Sequence, residues 1–311
     1  MRCLSVKLQL MEKAILKTLI YSDIFDFPLK AWEIHKWLIG KRATLQQIEK
    51  SLKGLSQKSK VKSQNDFYFL RNKKKLVEGR ERREKVSEKH FKSAKFYAGF
   101  LRIIPWIKLV GVSGSLAMKN SRKSDDIDLF IITGKNRLWL SRILILLIFE
   151  LLGKRRKRGE NLQKVSGKLC TNILLEEDNL AQTSKNIYLV HEVLQMRVLW
   201  EKEGIYHKFL SDNDWVFKHL PNWATSTSIK YRVLSIKQKK HDASNGLLNT
   251  IINSLEDWSR VFQLRYMGNP QGLEKVSEAS LYLHPQDKSI KILKEYKVRC
   301  GKLEVRTGIL K

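Results

Sequence analysis

The chain has 311 residues, room for two or three small domains, and 42% of them are hydrophobic, which excludes wholesale disorder. Sixty Lys and Arg against 31 Asp and Glu leave a formal net charge of +29, spread along the chain. Such a field attracts nucleic acid, nucleoside triphosphates or an acidic membrane surface, the plain alternative being charge carried on solvated faces without a partner. Cys3, Cys170 and Cys300 are too few and too far apart for a disulfide framework or a zinc knuckle, and they fit a reducing cytoplasm.

The N-terminus "MRCLSVKLQLMEKAILK" has no uninterrupted apolar stretch and no small-residue cleavage site, so no signal peptide is expected. Helical spacing of Ile15, Leu16, Leu19 and Ile20 predicts a helix over 12–22, and Trp32, Ile34, Trp37 and Leu38 predict another over 29–39. Thr44 followed by Gln47 has capping-box spacing and starts a third, with Leu45, Ile48 and Leu52 as its buried stripe. "KVKSQNDFYFL" reads as strand, polar turn, strand. Three short helices and a hairpin within residues 1–72 outline a winged helix, whose third helix could enter a major groove with Gln46, Lys50 and Lys53. DNA or RNA is therefore one candidate partner.

Residues 73–104 predict a connecting helix, its first half densely charged and solvated, ended by Pro105. "WIKLVGV", "DIDLFIIT" and "KLCTNILLEE" predict three strands, with a buried helix over Leu138–Gly153 before the third. That apolar run is 16 residues long and contains Arg142 and Glu150, short for a membrane span. The basic segment 153–168 predicts a loop able to face an anionic substrate. Residues 186–311 predict a helical C-terminal region, including "IYLVHEVLQMRVLW" and a helix whose apolar side is Leu248, Ile251, Ile252, Leu255, Trp258 and Phe262. Segment 231–246 predicts an exposed linker, and 287–299 a last helix. His191-Glu192 lacks a second His four residues on, so no zinc-protease pattern is present and His191 is expected on a helix face. The eight tryptophans are expected mostly in cores.

The chemistry concentrates in "GVSGSLAMKNSRKSDDIDLFIIT", Gly111 to Thr133. On a strand, Asp126 and Asp128 project from one face with Ile127 behind them. Two such carboxylates repel unless a cation lies between, and Mg²⁺, or Mn²⁺, suits hard oxygen ligands. The small-residue turn Ser113-Gly114-Ser115 lets backbone approach a phosphate closely. A phosphate cradle beside a metal-binding acid pair is equipment for phosphoryl or nucleotidyl transfer.

Gly-Ser, ten residues, then Asp-x-Asp resembles the signature of the DNA polymerase beta-type nucleotidyltransferase superfamily, over roughly residues 105–180 of a domain expected at 105–185. The resemblance implies a small mixed-sheet domain in an α+β chain, preceded by the winged-helix-like domain and followed by the helical region. It further implies that Gly114 and Ser115, with Ser113, bind nucleotide phosphate and that Asp126 and Asp128 hold the metal and act in catalysis. Lys119 and Arg122, between the two motifs, are candidate triphosphate contacts. Members of this superfamily usually carry a third acid on a neighbouring strand. Asn172 takes that position here, and strand periodicity puts Glu176 on the same face nearer the strand end, so Glu176 is the candidate replacement. Two functions follow as expectations: a Mg²⁺-dependent nucleotidyltransferase moving a nucleoside monophosphate from an NTP to a hydroxyl, or a DNA-binding regulator with a weak or inactive nucleotide-binding domain.

Overall fold

The computed structural model describes residues 2–71, 75–157, 159–161, 165–226, 246–267, 275–283 and 288–307. The expected linker 231–246 lies outside them except for Gly246. The chain is α+β, with an antiparallel three-stranded sheet near the N-terminus and a mixed six-stranded sheet after it.

In the N-terminal part, α1 (Arg2–Ile24), α2 (Ala31–Lys36) and α3 (Leu45–Gln57) surround Ile15, Leu19, Ile34, Ile48, Leu52 and Leu55. The strands β1 (Leu29–Lys30), β2 (Lys62–Gln64) and β3 (Phe67–Phe69) pair in the order β1-β3-β2. The capping box forms at α3: Thr44 Oγ1 accepts from Gln47 N at 3.3 Å, and Gln47 Oε1 accepts from Thr44 N at 3.0 Å. Leu45 is exposed rather than part of the stripe, and Leu55 completes it. Asn65 and Asp66 both have positive φ, the geometry a tight two-residue hairpin needs.

Helix α4 (Leu76–Phe100) runs into a 3₁₀ turn at Leu101–Ile103 before Pro105. Its charged half is not simply solvated. Arg80 is 3% exposed; its guanidinium lies 3.8 Å from the Phe27 ring centroid and donates to Glu33 Oε1 at 3.0 Å and to Lys119 O at 3.2 Å. Apolar contact and acceptors for both terminal nitrogens let one charged residue of a polar helix become core, although Nε stays unpartnered.

The larger sheet contains β4 (Ile107–Val112), β5 (Ile127–Thr133), β6 (Leu169–Glu176), β7 (Arg197–Glu201), β8 (Lys275–Val276) and β9 (Ser280–Tyr282), in the order β7-β4-β5-β6-β9-β8. Only β5 and β6 are parallel. The four-residue α5 (Gly114–Ala117) follows β4, and α6 (Leu138–Leu151) crosses between β5 and β6. On one face Ile127, Leu129 and Ile131 pack with Ala94, Trp139, Ile145 and Phe149. On the other, Phe130 and Ile132 pack with residues of α7 (Ile187–Gln195), α8 (Ile205–Ser211), α9 (Val216–His219) and α10 (Trp223–Ser226).

The region 186–311 departs from the all-helical expectation, because it supplies β7, β8 and β9. Met196 takes extended backbone and ends α7, and Arg197 to Glu201 then pair with β4. Gly111 makes that approach possible: a Cβ there would meet Met196 Sδ at 2.7 Å and Arg197 O at 3.0 Å.

Helix α11 (Gly246–Met267) is turned round relative to its expected orientation. Glu256, Ser259 and Gln263 face inward, while Ile251, Leu255, Trp258 and Phe262 are exposed. Specific hydrogen bonds set this orientation. Glu256 accepts from Trp139 N at 2.7 Å and Leu140 N at 2.8 Å, and Gln263 Nε2 donates to Trp139 O at 2.8 Å. Of the tryptophans, Trp32 and Trp258 are exposed; Trp37, Trp139, Trp200, Trp215 and Trp223 are core. The last helix, α12 (Lys288–Thr307), packs on α1 and α7.

Candidate functional site

The Ser113-Gly114-Ser115 turn closes β4 directly against the start of β5. Ser113 N donates to Asp128 O at 3.0 Å. Gly114 has φ +60, and a Cβ on it would lie 3.0 Å from Asp128 Oδ2. Left-handed backbone and contact with a carboxylate together exclude a larger residue at little cost. Ser115 Oγ donates to Asp125 Oδ2 at 3.2 Å, and the same oxygen accepts from Arg122 N at 2.8 Å. Asp125, which the motif reading passed over, thus ties the turn to the loop before the acid pair.

Asp126 and Asp128 share one face, with Ile127 buried in the core behind, as strand periodicity predicts. The parallel partner of Asp128 on β6 is Cys170. Asp126, Asp128 and Cys170 each place one ligand atom within 4.8 Å of the others. Asp128 Oδ1 is buried without a hydrogen-bond partner. Burial first, and the Asp126 charge second, push the Asp128 carboxyl well above the usual carboxylate range; Lys288 and Arg156 pull it back. Burial, with the two aspartates, raises the Cys170 thiol to about 12. Arg156, from the basic loop after α6, sets Nη1 2.7 Å from Asp126 Oδ2 and 3.6 Å from Cys170 Sγ. These donors fit a divalent cation: two carboxylates, one with an unpartnered oxygen, and a thiol beside them.

The loop between cradle and acids is held by other parts of the chain. Lys119 Nζ pairs with Glu84 at 3.0 Å. Arg83 Nε donates to Asn120 Oδ1 at 2.5 Å, and Asn120 Nδ2 donates to Phe25 O at 3.2 Å. Ser121 N donates to Ser87 Oγ at 2.9 Å, and Ser121 Oγ meets His90 Nδ1 at 2.9 Å. Arg122 has an exposed side chain. Lys119 therefore belongs to a scaffold linking α4 and the N-terminal part to this loop.

Glu176 is not brought to the acid pair. It pairs with Thr133 at the far end of β5, whereas Asp128 pairs with Cys170 at the near end. A register shift between Leu129 and Phe130 moves the pairing from Thr171 to Ile173, so Asn172 is the extra residue of a bulge. One added residue inverts the alternation downstream. Glu176 consequently faces α6 and accepts from the backbone of Asn136, Arg137 and Leu138, with Arg137 N at 3.2 Å. Asn172 stays on the face of the acid pair, 2% exposed, and its carbonyl accepts from Leu283 N at 2.9 Å. Cys170, not Asn172, stands across from Asp128.

A cavity of 360 Å³ opens on this face between Ser113, Asn172, Tyr282 and α7. Ser113 is 2% exposed and its Oγ has no partner. Glu192 lines the cavity, and its charge reaches Asp128. Gln195 Nε2 donates to Glu192 Oε1 at 2.6 Å. Burial pushes the Glu192 carboxyl up to about 7 against the opposing pull of Lys288 and Gln195. Sequence reasoning missed Glu192 because it sits on a helix some 60 positions from the motif; its neighbour His191 drew the attention instead. His191 itself is core, stacked on Tyr21 with centroids 4.0 Å apart, and burial lowers its imidazole to about 3.

Among the described residues no helix is long and apolar enough to cross a membrane. No protein-family model matches the chain, and no curated protein or solved structure is similar to it.

Proposed function

We propose that the unit built on β4, β5 and β6 is a nucleotidyltransferase of the DNA polymerase beta type. The observation that carries this reading is the pressing of left-handed Gly114 onto Asp128 beside Asp126, with a donor-poor carboxylate oxygen between them. The order of strand, glycine turn, antiparallel strand, helix and parallel strand accords with it. Asp126 and Asp128 would hold Mg²⁺ or Mn²⁺, which supplies charge neutralisation at the transferred phosphorus. Cys170 as a soft neighbour favours Mn²⁺ over Mg²⁺. Ser113, Gly114 and Ser115 orient the triphosphate through backbone N–H groups. Arg156 is released from Asp126 when a cation enters and becomes a phosphate contact. The product is a nucleoside monophosphate ester of a hydroxyl acceptor.

The N-terminal part supports a winged-helix reading through its element order, α1-β1-α2-α3-β2-β3, and through the exposed Gln46, Lys50 and Lys53 on α3. A second function is favoured by one observation: Arg156 already occupies the cation's neighbourhood. On that reading the chain is a nucleic-acid-binding regulator whose nucleotide-binding unit reacts slowly or not at all. Calorimetry with a non-hydrolysable triphosphate and Mn²⁺ tests the site. Binding in the wild-type chain that disappears in Asp126→Asn/Asp128→Asn supports it, and equal affinity in the double variant removes it. Turnover, measured as pyrophosphate release, then separates the transferase from the regulator.

A further inference from the structure

The cavity beside the acid pair carries an inference that rests on the transferase reading. We infer that it is the acceptor site, that it takes a small hydroxylated compound, and that Glu192 is the group that receives the proton of the attacking hydroxyl. Four observations lead there. Ser113 borders both the acid pair and the cavity, so a molecule in the cavity abuts the place where the transferred phosphorus would lie. Glu192 lines the cavity together with Lys275 and Lys288, so the lining offers both a carboxylate and ammonium groups to the hydroxyls of a polar compound. Asn172 and the pair Gln182–Tyr282, hydrogen-bonded to each other at 2.9 Å, add amide and phenol groups that a polyhydroxylated ring can engage. The volume, 360 Å³, is that of a small-molecule pocket rather than of a groove for a nucleic-acid strand.

Glu192 is placed for this role. Its Oε1 is held by Gln195 Nε2. Lys288 stands near enough to moderate both Glu192 and Asp128. In the step, the Glu192 carboxylate takes the hydroxyl proton as the hydroxyl oxygen bonds to the α-phosphorus. The bond from that phosphorus to the bridging oxygen breaks, and pyrophosphate leaves with the electron pair.

Saturation-transfer NMR on the full chain in chelator tests the pocket without nucleotide, metal or turnover. The probes are glucosamine, myo-inositol and adenosine. Glucosamine or myo-inositol should receive saturation, glucosamine affinity should fall at least tenfold in Glu192→Gln, and Thr183→Trp at the exposed rim should abolish binding of both. The Thr183 variant leaves Glu192 in place, so it decides the matter if Glu192→Gln does not fold. No transfer to either ring compound, binding unaltered by both variants, or displacement of the ring compounds by adenosine overturns the inference. Mn²⁺-triphosphate uptake without ring-compound binding removes the acceptor site and spares the transferase. Glu192-dependent glucosamine binding in a chain that takes up no nucleotide supports the pocket and overturns the transferase reading on which its role as acceptor site rests.

Discussion

The parallel pair β5–β6 has withdrawn carboxylates at both ends, buried at the far end and half-buried at the near one, and the two ends are built on opposite rules. At the far end, Glu176 and Glu256 receive backbone N–H groups from the first turn of α6 and the residues just before it. A buried acid there closes a helix terminus. At the near end, Asp126, Asp128 and Cys170 crowd together, and an oxygen of Asp128 is left without a partner. Burial of that kind costs stability unless something from outside completes it. The lesson is that charge and burial do not mark a functional acid; lack of internal partners does.

The largest loss of stability is expected at the far end. Glu256→Ala strands two N–H groups in a buried place and should lower stability by about 3 kcal/mol in denaturant unfolding, with Mn²⁺ affinity unchanged. Glu176→Ala should cost about 1–2 kcal/mol, again without touching Mn²⁺ affinity. Loss of Mn²⁺ binding in a Glu176 variant that still folds would return Glu176 to the site and undo the bulge argument.

The near end should respond in the opposite direction. Asp128→Asn should stabilise the metal-free chain on the order of 1 kcal/mol at pH 8, because a repelled, buried charge is removed. The sign follows from linkage. The folded-state pKa of Asp128 is raised, so the folded chain binds more protons than the unfolded one between the ordinary carboxylate range and the raised value. Stability from this group is thus present at low pH and lost as pH rises through that window; Glu192, pushed up to about 7, adds in the same sense. Asp128→Asn should flatten the decline, and urea melts between pH 5 and 8 read it out. His191 runs the other way: its pKa falls to about 3, so its contribution is present above the ordinary histidine range and lost as pH drops toward 3.

The smallest expected effect is at Arg156. It is partly exposed, so Arg156→Ala should change metal-free stability by less than about 1 kcal/mol. Mn²⁺ affinity should nevertheless rise, since Asp126 loses a competing cation. A fall in Mn²⁺ affinity would mean that Arg156 organises the site rather than blocking it.

Much of this was legible in the sequence. The Gly-Ser turn and the acid pair could be placed on their strands because both signals are local: a small-residue turn and period-two alternation. The capping box of Thr44 and Gln47 was legible for the same reason. The register of β6 was not, because the bulge at Asn172 depends on what lies across from it and leaves no mark in composition. Helix α11 was read inside out: its apolar stripe was visible, but the hydrogen bonds from Trp139, Leu140 and Arg142 to Glu256 and Gln263 join residues over a hundred positions apart. The strand at Arg197–Glu201 was hidden in an amphipathic run, and only the space that Gly111 leaves on β4 explains it. Glu192 and Arg156 reach the site from separate elements, a juxtaposition that no spacing rule encodes.

The most direct measurement is a Mn²⁺ titration of the metal-free full chain followed by electron paramagnetic resonance, with Asp126→Asn/Asp128→Asn and Glu176→Gln as the paired variants. Bound Mn²⁺ should be seen in the wild type and in Glu176→Gln and should vanish in the double aspartate variant, which still folds. Absence of bound Mn²⁺ in the wild type, or equal uptake by the double variant, would contradict the assignment of the unpartnered end of β5–β6 as the cation site.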